Sequence, residues 1–167
     1  MTGSGRISVL VSRDLQVLYT VASGLEKEVR SRLRKYTKAV VEPVWKEAVR
    51  SNVHTRLQAR VLSDTARVAV SDLNVTLKSA TVGKVGGIRA SVLAGPTEFG
   101  AAANQKVTQR SRRGKSYSRR MGRAFGLPEA KGKVVFPAVR EVIPRIVSLW
   151  MQTTARTVAE EFEKGAS

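Results

Sequence analysis

The sequence has no cysteine, one histidine and few aromatic residues. Without cysteine the chain can form no disulfide bond, no thiolate metal site and no thiol-based catalytic centre. Aromatic residues make up 5% of the 167 positions, so aliphatic side chains must fill most of the core. No apolar run approaches the roughly 18 residues of a membrane helix, and residues 1–14 lack the long apolar block of a signal peptide. We therefore expect a soluble intracellular protein.

No arrangement of residues typical of catalysis stands out. His54 is the only histidine, so a zinc site or a Ser–His–Asp arrangement would need partners from distant segments. Gly83 to Gly87 lacks the GxxxxGK[ST] spacing of a phosphate loop. Glu129-Ala130-Lys131 has the E-x-K spacing of one class of metal-dependent nuclease, but the preceding acids, Glu98 and Asp72, are far away in the chain. We expect no enzymatic activity, no cofactor and no metal, and keep a nuclease as a third hypothesis.

The basic excess is concentrated in one segment. Of the net charge of +17, residues 99–128 contribute eight basic and no acidic side chains, whereas residues 129–167 carry six basic and five acidic ones. Few apolar residues interrupt this segment, so its burial cannot offset its ordering entropy. We predict a long mobile loop over about 100–128 that orders only against a partner. The candidate partner- or DNA-contacting residues are Lys106, Arg110, Arg112, Arg113, Lys115, Arg119, Arg120 and Arg123.

Apolar residues at steps of three or four predict a long N-terminal helix from Asp14, as its cap, to Arg50. Pro43 should kink or divide this helix. A short second helix is expected after Ser51-Asn52. The apolar stripe of the long helix consists of Leu15, Leu18, Ala22, Leu25, Val29, Leu33, Tyr36, Val40 and Val44.

The period then changes to two, which is typical of half-buried strands. Residues 66–71 and 73–78 predict two strands, and Ile88 to Ala94 a third that Gly95-Pro96 ends. Lys133 to Phe136 could form a fourth. Pro137 suits the first turn of a C-terminal helix, which Pro144 should bend.

Together these elements predict an α+β fold. The long N-terminal helix and the C-terminal helix should pack on a small, mostly antiparallel β-sheet with a long basic loop. We expect residues 1–13 to be a flexible lead, residues 14–163 a single connector-type domain, and residues 164–167 a tail.

A basic segment of this kind can attract phosphate groups or an acidic protein. The sequence has no zinc finger, no basic-leucine zipper and no RRM with stacking aromatics. Tyr117 and Phe125 are the possible stacking groups in the segment. Any DNA contact should therefore be directed at the backbone and independent of sequence. Proximity to nucleic acid and docking of a protein partner both remain open, and they do not exclude each other.

Three short stretches, taken in order, carry a family resemblance. Glu98-Phe99-Gly100 after a strand is followed by a variable loop and by Val134-Val135-Phe136-Pro137-Ala138, which opens a terminal helix that includes Ile143 to Trp150. With the long N-terminal helix, this layout resembles the tail-completion and head–tail connector (neck) proteins of long-tailed, siphovirus-type bacteriophages. The resemblance covers roughly residues 14–163. The length and charge of the segment after Gly100 depart from the family pattern, so its role is not carried over.

The resemblance implies a structural virion protein that joins the head connector to the tail tube around the DNA channel. Such a subunit would form a ring with itself, a hexamer in the expected case, and contact adjacent head-connector and tail-tube or tail-terminator proteins. It would be assembled in the bacterial host cytoplasm, contact no membrane, and tolerate or grip genomic double-stranded DNA. We expect Glu98, Phe99, Phe136, Pro137 and Trp150 to be scaffold residues. The alternative is a sequence-independent nucleic-acid-binding protein of the nucleoid type.

Overall fold

Helices and short strands alternate along the chain. The computed structural model describes residues 6–8, 20, 24, 26–71, 74–111 and 113–165. The helices are α1 (Lys27–Ser51), α2 (Arg56–Gln58, continued by a π-helical turn over Ala59–Ser63), α3 (Ala90–Phe99) and α4 (Val135–Gly165). The strands are β1 (Arg6–Ser8), β2 (Arg67–Val70), β3 (Val75–Lys78), β4 (Lys84–Val85), β5 (Ile88–Arg89), β6 (Lys106–Arg110) and β7 (Ser116–Arg120). The predicted α+β class is confirmed.

Helix α1 begins at Lys27, and the predicted cap Asp14 lies outside the described residues. Its buried side chains recur every three or four positions, which is the spacing of one helix face. Tyr36 and Val40, which the apolar pattern places on that face, are 52% and 40% exposed. Pro43 lies inside the helix and does not divide it. The buried residues of α1 are Val29, Leu33, Thr37, Val41, Trp45, Ala48 and Val49.

Helices α1 and α4 pack against each other. Arg32, near the start of α1, pairs with Glu161, near the end of α4, at 3.0 Å, so the two helices run antiparallel. Trp45 of α1 joins Ile146 and Trp150 of α4 in one continuous core. The long C-terminal helix was predicted, with Pro137 in its first turn.

The central sheet is antiparallel and has the strand order β1-β3-β2. Val68 opposes Leu77, and Val70 opposes Val75. The buried Val68, Val75 and Leu77 belong to the same core as Trp45 of α1, whose indole N–H donates to the Lys78 carbonyl at 3.1 Å. The two strands predicted over 66–78 are therefore confirmed, and β1 lies within the predicted flexible lead.

Two predicted strands are helical. Ile88 to Ala94 forms a strand only at Ile88–Arg89; Ala90–Phe99 is helix α3, with Gly95-Pro96 inside it. A short apolar run does not distinguish a strand from a buried helix, and here Ala90, Leu93 and Thr97 are buried at helical spacing. Lys133 to Phe136 forms no strand either: Lys133 and Val134 precede helix α4, and Val135 and Phe136 begin it.

The short helix expected after Asn52 is confirmed as α2. Its signal is a capping box: the Thr55 hydroxyl accepts from the Gln58 N–H at 3.2 Å, and the Gln58 side chain accepts from the Thr55 N–H at 3.0 Å. Throughout the described part of the chain, no helix is long and apolar enough to cross a membrane.

Candidate functional site

The end of α3 is joined to the start of α4 by one buried carboxylate. Glu98 is 4% exposed, and its two oxygens accept from the backbone N–H groups of Val135 at 2.9 Å and Phe136 at 3.0 Å. The Val134 N–H lies 3.3 Å from both oxygens. The Glu98 carbonyl also accepts from the Lys133 N–H at 3.0 Å. Since the first N–H groups of a helix have no partner within it, and its N-terminus favours negative charge, this carboxylate satisfies and anchors α4. We call this arrangement the Glu98 joint.

Two glycines allow the joint to close. Gly132 has a φ of +77°, and a Cβ there would overlap the Glu98 carboxylate and lie 2.8 Å from Phe136 Cβ. Gly100 has a φ of +72°, and a Cβ there would overlap the Leu127 carbonyl. Glycine is therefore required by backbone conformation and by space at both positions.

A lysine holds the chain that returns to the joint. The Lys133 ammonium group donates to the carbonyls of Phe125 at 3.0 Å and Leu127 at 2.7 Å. The Glu129 N–H donates to the Phe99 carbonyl at 2.7 Å. The Lys133 ammonium group thus has a local structural role.

The structure brings three of the five predicted scaffold residues together. The rings of Phe99 and Phe136 lie next to the Glu98 carboxylate contacts, with centroids 5.3 Å apart and planes at 54°. Pro137 follows in the first turn of α4, whereas Trp150 lies farther along that helix in the core. Glu98 and Trp150 are buried, but Phe99 and Phe136 are 37% and 41% exposed. The two rings can therefore also contact a partner.

Two more exposed apolar residues lie on the same elements or next to them, and we call the set Val92, Phe99, Leu127 and Phe136 the aromatic patch. Val92 lies two helical turns before Phe99 on the same face of α3 and is 60% exposed. Leu127 is 85% exposed. A second candidate contact surface is a groove of about 460 Å³ between α1 and α4, where the apolar Tyr36, Val40 and Leu149 lie beside polar side chains that include Arg156 and Glu160. Large exposed apolar surfaces indicate sites of interaction.

The basic segment contains a β-hairpin where the sequence predicts a loop. Strands β6 and β7 pair antiparallel, with Lys106 opposite Arg120 and Arg110 opposite Ser116. The turn is closed by the Ser111 N–H, which donates to the Lys115 carbonyl at 2.8 Å, and Gly114 there has a φ of +79°. The prediction missed the hairpin because each strand has a single apolar or aromatic residue, Val107 in β6 and Tyr117 in β7, which is too few to show a period of two.

The hairpin holds most of the predicted contact residues. Lys106 and Arg110 lie in β6, Arg119 and Arg120 in β7, and Arg113 and Lys115 in the turn. Arg123 follows in the next turn, and Arg112 lies outside the described residues. Within the described part of the chain, no ion pair involves these cations. The exposed ones are Lys106, Arg110, Arg113, Lys115, Arg120 and Arg123.

Of the carboxylates considered for a nuclease site, Glu98 and Glu129 lie among the described residues. Both oxygens of Glu98 are engaged by backbone N–H groups, Glu129 is exposed, and Asp72 lies outside the described residues. Among the residues that the structure describes, no three His, Cys, Asp or Glu side chains lie close enough to hold a metal ion.

Sequence reasoning found Glu98, Phe99 and Phe136 but missed the parts of the site that depend on the third dimension. These are the glycine at 132, the lysine at 133, and the two candidate contact surfaces. The burial of α1 could not be assigned correctly from its apolar residues because Thr37, rather than Tyr36 or Val40, faces the core.

Comparison of the chain with protein-family models, with curated proteins and with solved structures finds no match.

Proposed function

We propose that this protein is a non-enzymatic structural subunit of a bacteriophage neck, a ring-forming head–tail connector or tail-completion protein located in the virion. The observation that carries the proposal is the Glu98 joint. The Glu98-Phe99-Gly100 and Phe136-Pro137-Ala138 pieces, whose order carries the family resemblance, are 36 or more positions apart and meet through the Glu98 carboxylate. Two short motifs that could have been unrelated thus belong to one structural unit.

The two candidate contact surfaces support assembly into a ring. In a head-to-tail ring, one surface of each subunit contacts a different surface of the next, so each subunit needs two separate contact surfaces. The aromatic patch is formed by α3, the start of α4 and the segment that precedes α4. The groove lies between α1 and the second half of α4. We propose that the patch of one subunit contacts the groove of its neighbour.

Purified virions provide the direct test. Native mass spectrometry and electron microscopy should find several copies of the chain in a ring at the neck, with six copies as the expected number. Absence of the chain from virions would overturn the proposal. A monomer or dimer that coats host DNA in cells would instead support the nucleoid-type alternative, which the exposed cations of the hairpin favour.

A single exposed valine tests the contact surface. Val92→Ser should reduce incorporation into virions at least about tenfold, since it places a hydroxyl at an apolar contact, while changing the free energy of unfolding by less than about 0.5 kcal/mol. Val82→Ser is the matched control, because Val82 is also exposed, at 43%, but lies outside both candidate contact surfaces. Quantitative mass spectrometry of virions measures both variants. Equal incorporation of the two would show that the aromatic patch is not a subunit contact.

A further inference from the structure

We propose that one face of the β6–β7 hairpin binds the phosphate backbone of double-stranded DNA without regard to sequence. This inference deepens the proposed function, since it names a partner for the basic segment of a subunit that surrounds a DNA channel. The face follows from the pairing of the strands: Lys106 opposes Arg120, Thr108 opposes Ser118, and Arg110 opposes Ser116. Opposed residues project on the same side of a two-stranded ribbon, and so do residues two positions apart. The phosphate face therefore consists of Lys106, Thr108, Arg110, Ser116, Ser118 and Arg120.

The composition of the phosphate face suits phosphate oxygens. It presents three cations and three hydroxyl groups, and all six residues are exposed. Arginine, lysine, serine and threonine are the side chains that most often bind DNA phosphates. Lys106 and Arg110 are separated by four residues of strand, or about 13 Å, which spans the rise of roughly four base pairs. The face can thus reach several phosphates at once.

Among the residues that the structure describes, no carboxylate pairs with the cations of the phosphate face. Lys106 and Arg120 are directly opposite each other, and like charges in that position repel. Residues 99–128 contain no acidic side chain to relieve this repulsion. A two-stranded hairpin on its own is marginally stable. A polyanion lying across the face would remove the repulsion and stabilise the ribbon, whereas an ordinary surface hairpin would be expected to intersperse carboxylates.

Duplex DNA fits the face better than the other polyanions. The centre of a protein–protein contact is rich in aromatic side chains and arginine and depleted of lysine and serine; the phosphate face has arginine, but no apolar or aromatic side chain to go with it. Binding of single strands depends on aromatic stacking, but Tyr117 lies opposite Gln109 and so projects from the other face. Between duplexes, DNA is favoured because the channel of the proposed neck subunit carries double-stranded DNA, and contacts to its backbone need no entry into a groove.

The test compares two triple variants of the full chain with the unmodified chain. The face variant lacks the three cations of the phosphate face and carries Lys106→Ser, Arg110→Ser and Arg120→Ser. The control variant loses the same charge from exposed positions outside the hairpin and carries Lys131→Ser, Arg140→Ser and Arg145→Ser. Fluorescence anisotropy of a 30-base-pair duplex of random sequence is measured from about 50 to 200 mM salt, the range in which phosphate contacts are resolved. Thermal melting by circular dichroism checks that each variant is folded.

We expect the face variant to bind the duplex at least about tenfold more weakly at 100 mM salt, and its slope of log K against log salt to fall by about 2 to 3. The control variant should stay within about twofold of the unmodified chain. Equal losses of duplex affinity in the two variants would overturn the proposal, since they would show only a general effect of net charge. Tighter binding of single-stranded DNA than of the duplex would also overturn the proposal. The same is true of polyglutamate, if it binds more tightly than the duplex and loses affinity in the face variant to the same extent. Incorporation of the face variant into virions tests the ring separately, so failure of one proposal does not imply failure of the other.

Discussion

Replacement of Glu98 by alanine should lower the free energy of unfolding by about 4 kcal/mol. The change removes the acceptors of the Val134, Val135 and Phe136 N–H groups from a site where the side chain is 4% exposed. A lost helix cap costs about 0.5 to 2 kcal/mol, and a lost hydrogen bond to a charged group about 1.5 to 3 kcal/mol. For a chain of 167 residues, a loss of this size should lower the melting temperature by about 8 to 16 °C. Urea unfolding at 25 °C and a thermal melt measure the two quantities.

Two further substitutions separate the cap from other effects. Glu98→Gln keeps the size of the side chain and one acceptor oxygen, so it should cost about half as much as Glu98→Ala. Glu129→Ala removes an exposed carboxylate from the adjoining segment and should cost less than about 0.5 kcal/mol. If Glu98→Ala were no more destabilising than Glu129→Ala, the Glu98 joint would not hold the start of α4.

Gly132→Ala should destabilise the protein by about 3 kcal/mol. Part of the cost, about 1 to 2 kcal/mol, is the strain of a Cβ in the left-handed region. The rest arises because the new methyl group overlaps the Glu98 carboxylate and lies 2.8 Å from Phe136 Cβ, so the Glu98 joint must open to admit it. Urea unfolding of the full chain gives the difference in free energy.

Gly114→Ala is the control for backbone strain. Gly114 has a φ of +79°, close to the +77° of Gly132, and a Cβ there would meet nothing within 4 Å. Its substitution should therefore cost only the strain, about 1 to 2 kcal/mol. If Gly132→Ala and Gly114→Ala lowered the free energy of unfolding equally, the residues around the Glu98 joint would be able to move aside, and close packing there would not depend on glycine.

The parts of the fold that sequence predicts correctly are those with a local cause. Val68 and Val70, and then Val75 and Leu77, alternate in a period of two, so both strands and their approximate ends were predictable. The C-terminal helix was predictable because its apolar residues recur at helical spacing over many turns. The α+β class follows from these elements alone.

The parts of the fold that the sequence does not predict have causes elsewhere in the chain. Val134 to Phe136 reads locally as a strand, but a carboxylate 36 or more residues away accepts from its N–H groups and starts a helix. The two strands of the hairpin hold one apolar or aromatic residue each, Val107 and Tyr117, so their pairing leaves little mark in the hydrophobic pattern. The aromatic patch was hidden for another reason: Phe99 and Phe136 are residues that a sequence assigns to the core, and only the fold shows how much of each ring is exposed.

The hydrogen bond from the Ala101 N–H to the Gly126 carbonyl, 3.2 Å long, brings the two ends of the hairpin segment to one point on the fold. Inside it, the Gly122 N–H donates to the Ala103 carbonyl and the Met121 N–H to the Gln105 carbonyl, which continue the ladder of the ribbon. The chain thus leaves and re-enters at a single closed base, next to the Glu98 joint. Phe125 packs against the core, but the ribbon beyond the bond between Gly122 and Ala103 does not include it. Hairpins of other lengths or charges grafted between Ala103 and Gly122 should therefore leave the packing of the helices and the central sheet in place.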